Sequence, residues 1–80
     1  MVARVYVSLK PQVLDPQGKA VQRGLSSMGY SEVEDARIGR YIELKIKDGA
    51  DKESLRARLE EMCNRLLSNP IIENYRIEIQ

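Results

Sequence analysis

Residues able to carry chemistry are few in this chain of 80 residues. It has no histidine, the commonest general base and metal ligand, and its one cysteine is Cys63. Cys63 falls on the apolar stripe of a predicted helix, so we interpret it as a small buried hydrophobic residue. The acidic run at residues 48–53 lacks the ligand spacing of a calcium loop and is interpreted as a turn followed by a helix cap. We therefore predict no catalytic residue, no metal site and no bound cofactor.

One short segment carries residue types that suit binding. Arg37, Arg40 and Tyr41 bring two cations and an aromatic ring together around Gly39. Such a group can contact phosphate or RNA, but two arginines without a wider basic field are weak evidence for it. Arg and Tyr are also enriched at protein contacts, so a protein interface fits this segment at least as well.

A second segment, Leu14 to Val21, joins a predicted strand to a predicted helix. Asp15 is expected to be the N-cap and Pro16 the first helical residue. Gly18 then falls in the first turn, where it costs up to about 1 kcal/mol relative to alanine unless its bare backbone admits a close neighbour. We expect that neighbour to be a partner's carbonyl or carboxylate reaching the first-turn N–H groups. Gly18→Ala is then expected to leave the isolated chain at least as stable and to weaken assembly.

Composition and charge narrow the class of protein. Thirteen basic and twelve acidic residues leave a net charge of +1, which argues against a general binder of nucleic acid or anionic membranes. No apolar run approaches the ~20 residues that span a bilayer, and the N-terminus lacks a signal-peptide pattern. A single cysteine fits a reducing compartment, so we expect a cytoplasmic location. Residues 1–80 are predicted to form one domain, whose small core favours self-association.

Hydrophobic periodicity predicts the elements that position these residues. The predicted elements are a strand at Val2–Leu9, a helix at Pro16–Met28, a turn at residues 47–50, a helix from the cap Asp51 to a stop at Ser68-Asn69-Pro70, and a strand at Ile71–Ile79. Gly29 and Asn69 are expected to be left-handed residues that end the two helices. Residues 33–47 keep one apolar phase, which fits either two strands hinged near Gly39, the alternative we prefer, or one long bent strand.

These elements predict an α+β fold, a two-layer sandwich. Its order is βαββαβ, or βαβαβ with one long bent middle strand, with a mostly antiparallel sheet and two helices on one face. Gly24, on the apolar stripe of the first helix, suggests that this helix packs closely on the sheet. The other face has no helix to cover it, so a second copy could bury residues there. The residues expected on that face are Tyr6, Val33, Tyr41 and Tyr75.

Four segments together resemble one protein family. They are residues 5–11 (VYVSLKP), 13–18 (VLDPQG), 37–44 (RIGRYIEL) and 66–75 (LLSNPIIENY). This pattern is similar to the small S subunit (PurS) family of multi-subunit phosphoribosylformylglycinamidine synthase, an enzyme of purine biosynthesis. The resemblance covers essentially the whole chain in order. Gln12, where the family often has glycine, and Arg40, where lysine is common, are small departures.

The resemblance implies a non-catalytic subunit of a ligase complex that uses ATP, Mg and glutamine, none of them bound by this subunit. In that family a glutaminase subunit releases ammonia and a large synthetase subunit activates the amide oxygen of its substrate. The small subunit brings the two together and itself forms dimers or tetramers; no nucleic acid or membrane is an expected partner. The residues expected to contact partners are Asp15, Gln17, Gly18, Arg37, Arg40, Tyr41, Asn69, Asn74 and Tyr75. For Asp15 and Asn69, helix capping is the alternative role.

Two other classes of function compete with this one. A ferredoxin-like module that binds a small regulatory ligand is the alternative function. An RNA-binding module needs exposed aromatic residues on its central strands, and this chain has four tyrosines and neither phenylalanine nor tryptophan.

Overall fold

The computed structural model describes residues 1–49 and 51–80, which form three strands, two α-helices and a π-helical turn. In chain order these are β1 (Val2–Leu9), α1 (Pro16–Ser27), β2 (Gly39–Lys45), α2 (Lys52–Met62), the π-helical turn (Cys63–Leu67) and β3 (Glu73–Ile79). The strand order is β2-β1-β3, and β1 is antiparallel to both neighbours. The predicted α+β class, with two helices and an antiparallel sheet, is confirmed. The predicted turn is seen at Asp48 and Gly49, whereas Ala50 lies outside the described residues.

The middle of the chain forms one strand, which is shorter than either prediction. β2 begins at Gly39, and residues 33–38 run outside the sheet. The two-stranded hairpin hinged at Gly39 is therefore wrong, and the single-strand alternative holds over a reduced range. Gly39 pairs with Ser8, and a Cβ atom there would fall on the carbonyl oxygen of Val7. The absence of a side chain at Gly39 thus lets the backbone of β2 come close to that of β1 at the point where β2 starts.

The core lies between α2 and one face of the sheet. Alternate residues of β1 point into it, and Val5 and Val7 are almost fully buried against Leu55 and Leu59 of α2. Cys63 is fully buried, as predicted. Burial raises the pKa of its thiol above the usual value, so the side chain stays protonated and behaves as a packing residue at neutral pH.

Helix α1 projects beyond the sheet. Gly18 is its one buried residue in the part of the chain described, while Val21 is 42% exposed and the C-cap Met28 is 71% exposed. Apart from the neighbouring residues and backbone of its own helix, no described atom lies within 4 Å of where a Cβ atom of Gly24 would be, so the predicted close packing of this helix on the sheet at Gly24 is wrong. Gly29 follows with φ of +99°, as expected for a left-handed residue that ends a helix.

The molecule is elongated because α1 extends past the strands. Its dimensions are 50 × 25 × 14 Å and its radius of gyration is 16.0 Å. A compact domain of this length has a radius of gyration of about 12 Å. An eight-residue strand is about 27 Å long and a 12-residue helix about 18 Å, so the two placed roughly end to end account for the long dimension.

The face of the sheet opposite α2 carries aromatic and charged side chains. The rings of Tyr6 and Tyr41 have centroids 5.2 Å apart, and the guanidinium carbon of Arg76 lies 4.4 Å from the centre of the Tyr6 ring. The prediction that Tyr6 and Tyr41 lie on this face is confirmed. For Tyr75 it is wrong, because this residue pairs with buried Val7 and packs against the core. For Val33 it is also wrong, because this residue lies outside the sheet, between α1 and β2.

None of the helices formed by residues 1–49 and 51–80 has the length and apolar character needed to cross a membrane.

Candidate functional site

Most of the predicted contact residues meet at one end of the sheet, where β1 ends and β2 and β3 begin. Two adjoining clefts open there, and both are lined by Ser8 and Leu9. Six further residues line one cleft or the other, and we call them the strand-end surface. They are Asp15, Gln17, Arg37, Arg40, Glu73 and Asn74. Residues far apart in the sequence thus share one small surface.

Asp15 connects the start of α1 to the segment that leads into β2. Its Oδ1 accepts a hydrogen bond of 2.9 Å from the N–H of Gly18, which confirms the predicted N-cap. Its Oδ2 accepts a second, of 2.7 Å, from the N–H of Ile38. The bond from Ile38, then that from Gly18, hold the pKa of this carboxyl below its usual 3.8. With 3% of its surface exposed, Asp15 serves the chain's own backbone.

Gly18 is buried against the same segment. A Cβ atom on it would fall on the carbonyl oxygen of Ala36 and come within 2.8 Å of Oδ2 of Asp15. The close neighbour that this glycine admits is therefore part of its own chain. This contact within the chain occupies the space in which we expected a partner's group, and it predicts that Gly18→Ala destabilises the isolated chain.

Arg37, in the segment that leads into β2, binds the loop that precedes α1. Its Nη2 donates to the carbonyl oxygens of Lys10 and Val13 at 2.9 and 3.0 Å. It thereby fixes the loop between β1 and α1 against the approach to β2. We refer to Asp15, Gly18 and Arg37, with the backbone they contact, as the base clamp of α1.

Arg40 and Glu73 connect β2 to β3 and to the end of the π-helical turn. Their two hydrogen bonds measure 2.6 and 2.9 Å, and Nη2 of Arg40 also donates to the carbonyl oxygen of Leu67 at 2.6 Å. Glu73 accepts a further bond of 2.7 Å from the N–H of Asn69. The bonds from Arg40 and Asn69 hold the pKa of the Glu73 carboxyl below its usual 4.5. Glu73 is absent from the predicted set, although its position just after the helix stop places it within a quoted motif.

Asn69 acts in a turn and does not take the predicted left-handed conformation. Among the described residues only glycines have positive φ. The helix ends through the π-helical turn, with the N–H and the hydroxyl of Ser68 both donating to the carbonyl of Cys63. The side-chain oxygen of Asn69 accepts from the N–H of Ile71 at 3.1 Å, so it shapes the turn into β3.

The Arg40–Glu73 pair allows a direct test of this arrangement. In a double-mutant cycle with Arg40→Met and Glu73→Gln, we expect a coupling free energy of about 1 kcal/mol at pH 7, the upper end for an exposed pair, because the contact is bidentate. The Arg65–Glu61 pair, a single contact of 3.3 Å along one helix, is the control, with about 0.3–0.5 kcal/mol expected. The folded-state pKa of Glu73 lies below its usual 4.5. The stability that the ionised Glu73 contributes is therefore complete above pH 4.5, and it is lost as the pH falls through the folded-state pKa. Denaturant titrations at several pH values measure the coupling free energy and its dependence on pH. Equal coupling in the two pairs would contradict the view that Arg40 and Glu73 form the stronger, bidentate contact.

The remaining predicted residues differ in their surroundings. Gln17 and Asn74 are exposed on the strand-end surface. Tyr41 lies on the open sheet face, where its hydroxyl donates to Oε2 of Glu43 at 3.2 Å. Tyr75 faces the core. No group of three or more metal-ligating side chains occurs among the described residues. The strand-end surface therefore carries exposed hydrogen-bonding groups next to exposed apolar side chains, a composition that suits contact with another protein.

Comparison with known proteins decides the family. The family model for PurS, described as phosphoribosylformylglycinamidine (FGAM) synthase, matches residues 2–80. The chain belongs to the PurS family. The FGAM synthase subunit PurS of Bacillus subtilis is 54% identical to it over 77 residues, which cover 96% of this chain and 89% of that protein. Family membership places the chain in purine biosynthesis, as a subunit of FGAM synthase.

Solved PurS structures share the fold just described. The PurS of Methanocaldococcus jannaschii, described as one of the subunits of formylglycinamide ribonucleotide amidotransferase in the purine biosynthetic pathway, is 33% identical with a TM-score of 0.86, covering 99% of this chain and 94% of that one. A chain of the PurLQS structure from Thermotoga maritima is 26% identical with a TM-score of 0.82, covering 98% and 96%. Solved PurS structures thus share the fold of this chain over almost its whole length.

Proposed function

We propose that this chain is the non-catalytic assembly subunit of FGAM synthase and that it docks the glutaminase subunit on the ATP-dependent synthetase subunit. The observation that carries the proposal is the likeness, over almost the whole chain, to a chain of the Thermotoga maritima PurLQS structure. The side chains agree with it, because the one thiol is buried and protonated and the chain has no histidine. On this proposal ATP, Mg and glutamine are bound by the other subunits, and the chain works in the cytoplasm as a dimer or tetramer.

Docking has a physical rationale in the chemistry of ammonia. Ammonia released into water at neutral pH is diluted and largely protonated, and the ammonium ion is no nucleophile. Holding the glutaminase against the synthetase gives ammonia a short and shielded route, which raises its effective concentration at the second site. A subunit that only fixes this geometry needs binding surfaces and no catalytic group.

The strand-end surface and its apolar border are the proposed docking region. Leu14 and Ile71 border it and are 71% and 81% exposed, and Ile72 is joined to this end by the bond from the N–H of Lys10 to its carbonyl oxygen. Arginine is enriched at energetically dominant contacts, and exposed apolar side chains rimmed by polar residues are typical of a protein-interaction site. Gln17 and Asn74 supply exposed amides at the rim. We therefore assign partner contact to Leu14, Gln17, Ile71 and Asn74, and internal support to Asp15, Gly18 and Arg37.

A reconstitution experiment tests the proposal. Synthetase and glutaminase are assayed for amidine formation with and without this chain, using either glutamine or ammonium chloride at alkaline pH as the nitrogen source. We expect glutamine-dependent activity to fall to background without this chain, and ammonia-dependent activity to persist because free ammonia needs no docking. Ile71→Asp should reduce the glutamine-dependent rate, whereas Ala57→Asp, on the exposed face of α2, should not. Undiminished glutamine-dependent activity without the chain would overturn the proposal.

A further inference from the structure

The face of the sheet opposite α2, which we call the open sheet face, has the composition of a protein contact surface. Alternate residues of β1 point to it, since the residues between them, Ala3, Val5 and Val7, are buried in the core. Tyrosine and arginine, which are enriched at energetically dominant contacts, lie at its centre on neighbouring strands. The residues that meet there are Arg4, Tyr6, Tyr41, Glu43, Arg76 and Glu78.

Arg4 lies in the middle of this face and lacks a partner for its charge in the described part of the chain. It pairs in register with Glu43 of β2 and with Glu78 of β3. Glu43 instead accepts from the hydroxyl of Tyr41 at 3.2 Å. Glu78 forms its ion pair with Arg76, at 3.4 Å. The Nε atom of Arg4 is buried, and among the described residues it is the one buried side-chain nitrogen or oxygen without a hydrogen-bond partner.

The unpaired guanidinium of Arg4 indicates what kind of group would cover it. A buried polar group without a hydrogen bond is costly, so an acceptor from outside the chain would stabilise this face. A carboxylate is the strongest such acceptor, because it can take two hydrogen bonds from one arginine. An extended polyanion fits poorly, since Glu43 and Glu78 flank Arg4 and repel its successive phosphates. A protein can present one carboxylate to the arginine and cations to the two glutamates.

The open sheet face is continuous with the strand-end surface. Ser8 and Asn74 pair across β1 and β3, point to the open sheet face and line one of the clefts at the strand ends. Three strands about 4.8 Å apart and about 24 Å long give the open sheet face a projected area of about 340 Å². A specific interface buries about 800 Å² on each partner. A partner on the open sheet face therefore needs adjoining surface, and the strand-end surface adjoins it.

We propose that the synthetase subunit covers the open sheet face and the strand-end surface as one contact, with the carboxylate of an aspartate or glutamate against Arg4. The combined surface turns from the sheet around the ends of its strands, which favours the larger of the two partner subunits. The inference rests on the proposed function, because it assumes that this chain docks both subunits. It adds which subunit meets this face and through which charge.

Photochemical cross-linking tests which subunit lies on the open sheet face. Benzoylphenylalanine, a photoreactive residue, replaces Tyr41 in the full chain or, separately, Ile71 beside the strand-end surface. Each variant is mixed with synthetase and glutaminase and irradiated, and the products are identified by mass. We expect both positions to cross-link to the synthetase. The same residue in place of Ala57, on the exposed face of α2, should give little of this product.

Arg4→Met tests the charge in the reconstituted assay. It removes the guanidinium and keeps a long side chain. We expect the concentration of this chain that half-restores glutamine-dependent activity to rise about 30-fold, as for a dominant contact residue. The Tm of the isolated variant should not fall, because a buried nitrogen without a partner does not stabilise the fold. Arg56→Met, at an exposed arginine of α2, should leave the half-restoring concentration within a few-fold of the native value.

The other outcomes overturn the inference. They are a cross-link from position 41 to the glutaminase, a cross-link to another copy of this chain, and no cross-linked product. An Arg4→Met chain as effective as the native one, alongside an impaired Ile71→Asp chain, also overturns it and leaves docking at the strand ends intact. If the native chain itself restores no glutamine-dependent activity, the proposed function fails and this inference fails with it.

Discussion

Gly18→Ala should destabilise the protein by about 1–3 kcal/mol, the range for forcing extra atoms into a filled space. The new methyl group would fall on the carbonyl oxygen of Ala36, which belongs to the backbone and cannot turn aside as a side chain can. Alanine's better helix propensity returns up to ~1 kcal/mol, which is too little to offset the clash. Denaturant unfolding followed by circular dichroism measures the change.

The matched control for Gly18→Ala is Lys19→Ala. Lys19 is the next residue of the same turn and is exposed, so alanine there tests the turn without adding atoms to the contact with Ala36. We expect a change within about 0.5 kcal/mol for this variant. A Gly18→Ala protein as stable as the native one would contradict the role given to the glycine.

Asp15→Ala should release α1 from the rest of the chain. It removes the acceptor for two backbone N–H groups and separates the helix start from the approach to β2. A 12-residue helix without tertiary support is marginal in water. Since α1 has 12 residues and α2 has 11, we expect the variant to lose up to half of the α-helical ellipticity while the sheet signal remains.

The control for Asp15→Ala is Asp51→Ala, the same change at the N-cap of α2. Asp51 accepts from the N–H of Ser54 at 3.1 Å, but α2 is also held by Leu55 and Leu59 in the core. Loss of a cap alone costs about 1 kcal/mol, and the helical signal should persist. Equal losses of helix in the two variants would show that Asp15 is only a cap.

The same carboxylate makes α1 sensitive to acid. The folded-state pKa of Asp15 is lowered, so its stabilising contribution is fully present above its usual value of 3.8 and is lost as pH falls through the folded value. The native chain should therefore lose helical signal in this acid range. Asp15→Ala lacks that transition, which an acid titration of both proteins can show.

Features fixed by local chemistry were predictable from the sequence, and features fixed by distant neighbours were not. The cap at Asp15 depends on the residues beside it, and the apolar alternation of β1 depends on its own side chains. The neighbour of Gly18 is Ala36, and only the folded chain shows that the gap is filled from within. The apolar stripe of α1 predicts that another surface covers this side of the helix, but the amphipathic pattern does not indicate which surface that is. Tyr75 is a different case, because its alternation with Ile77 already indicates the core face, and the prediction of an open face gave more weight to its ring than to that pattern.

The central position of β1 has a consequence for the order in which the sheet forms. Its pairing with β3 places Ala3 opposite Ile79, and the N–H groups of Val2 and Gln80 each donate to the other's carbonyl oxygen. Closing a loop of nearly the whole chain costs about 4 kcal/mol of entropy by the logarithmic length law. Contacts of such long sequence separation slow folding, whereas the pairing of β1 with β2 closes a much shorter loop. Until the last residues of the chain arrive, the middle strand therefore has one open edge, and the nascent protein is most exposed to mispairing along β1.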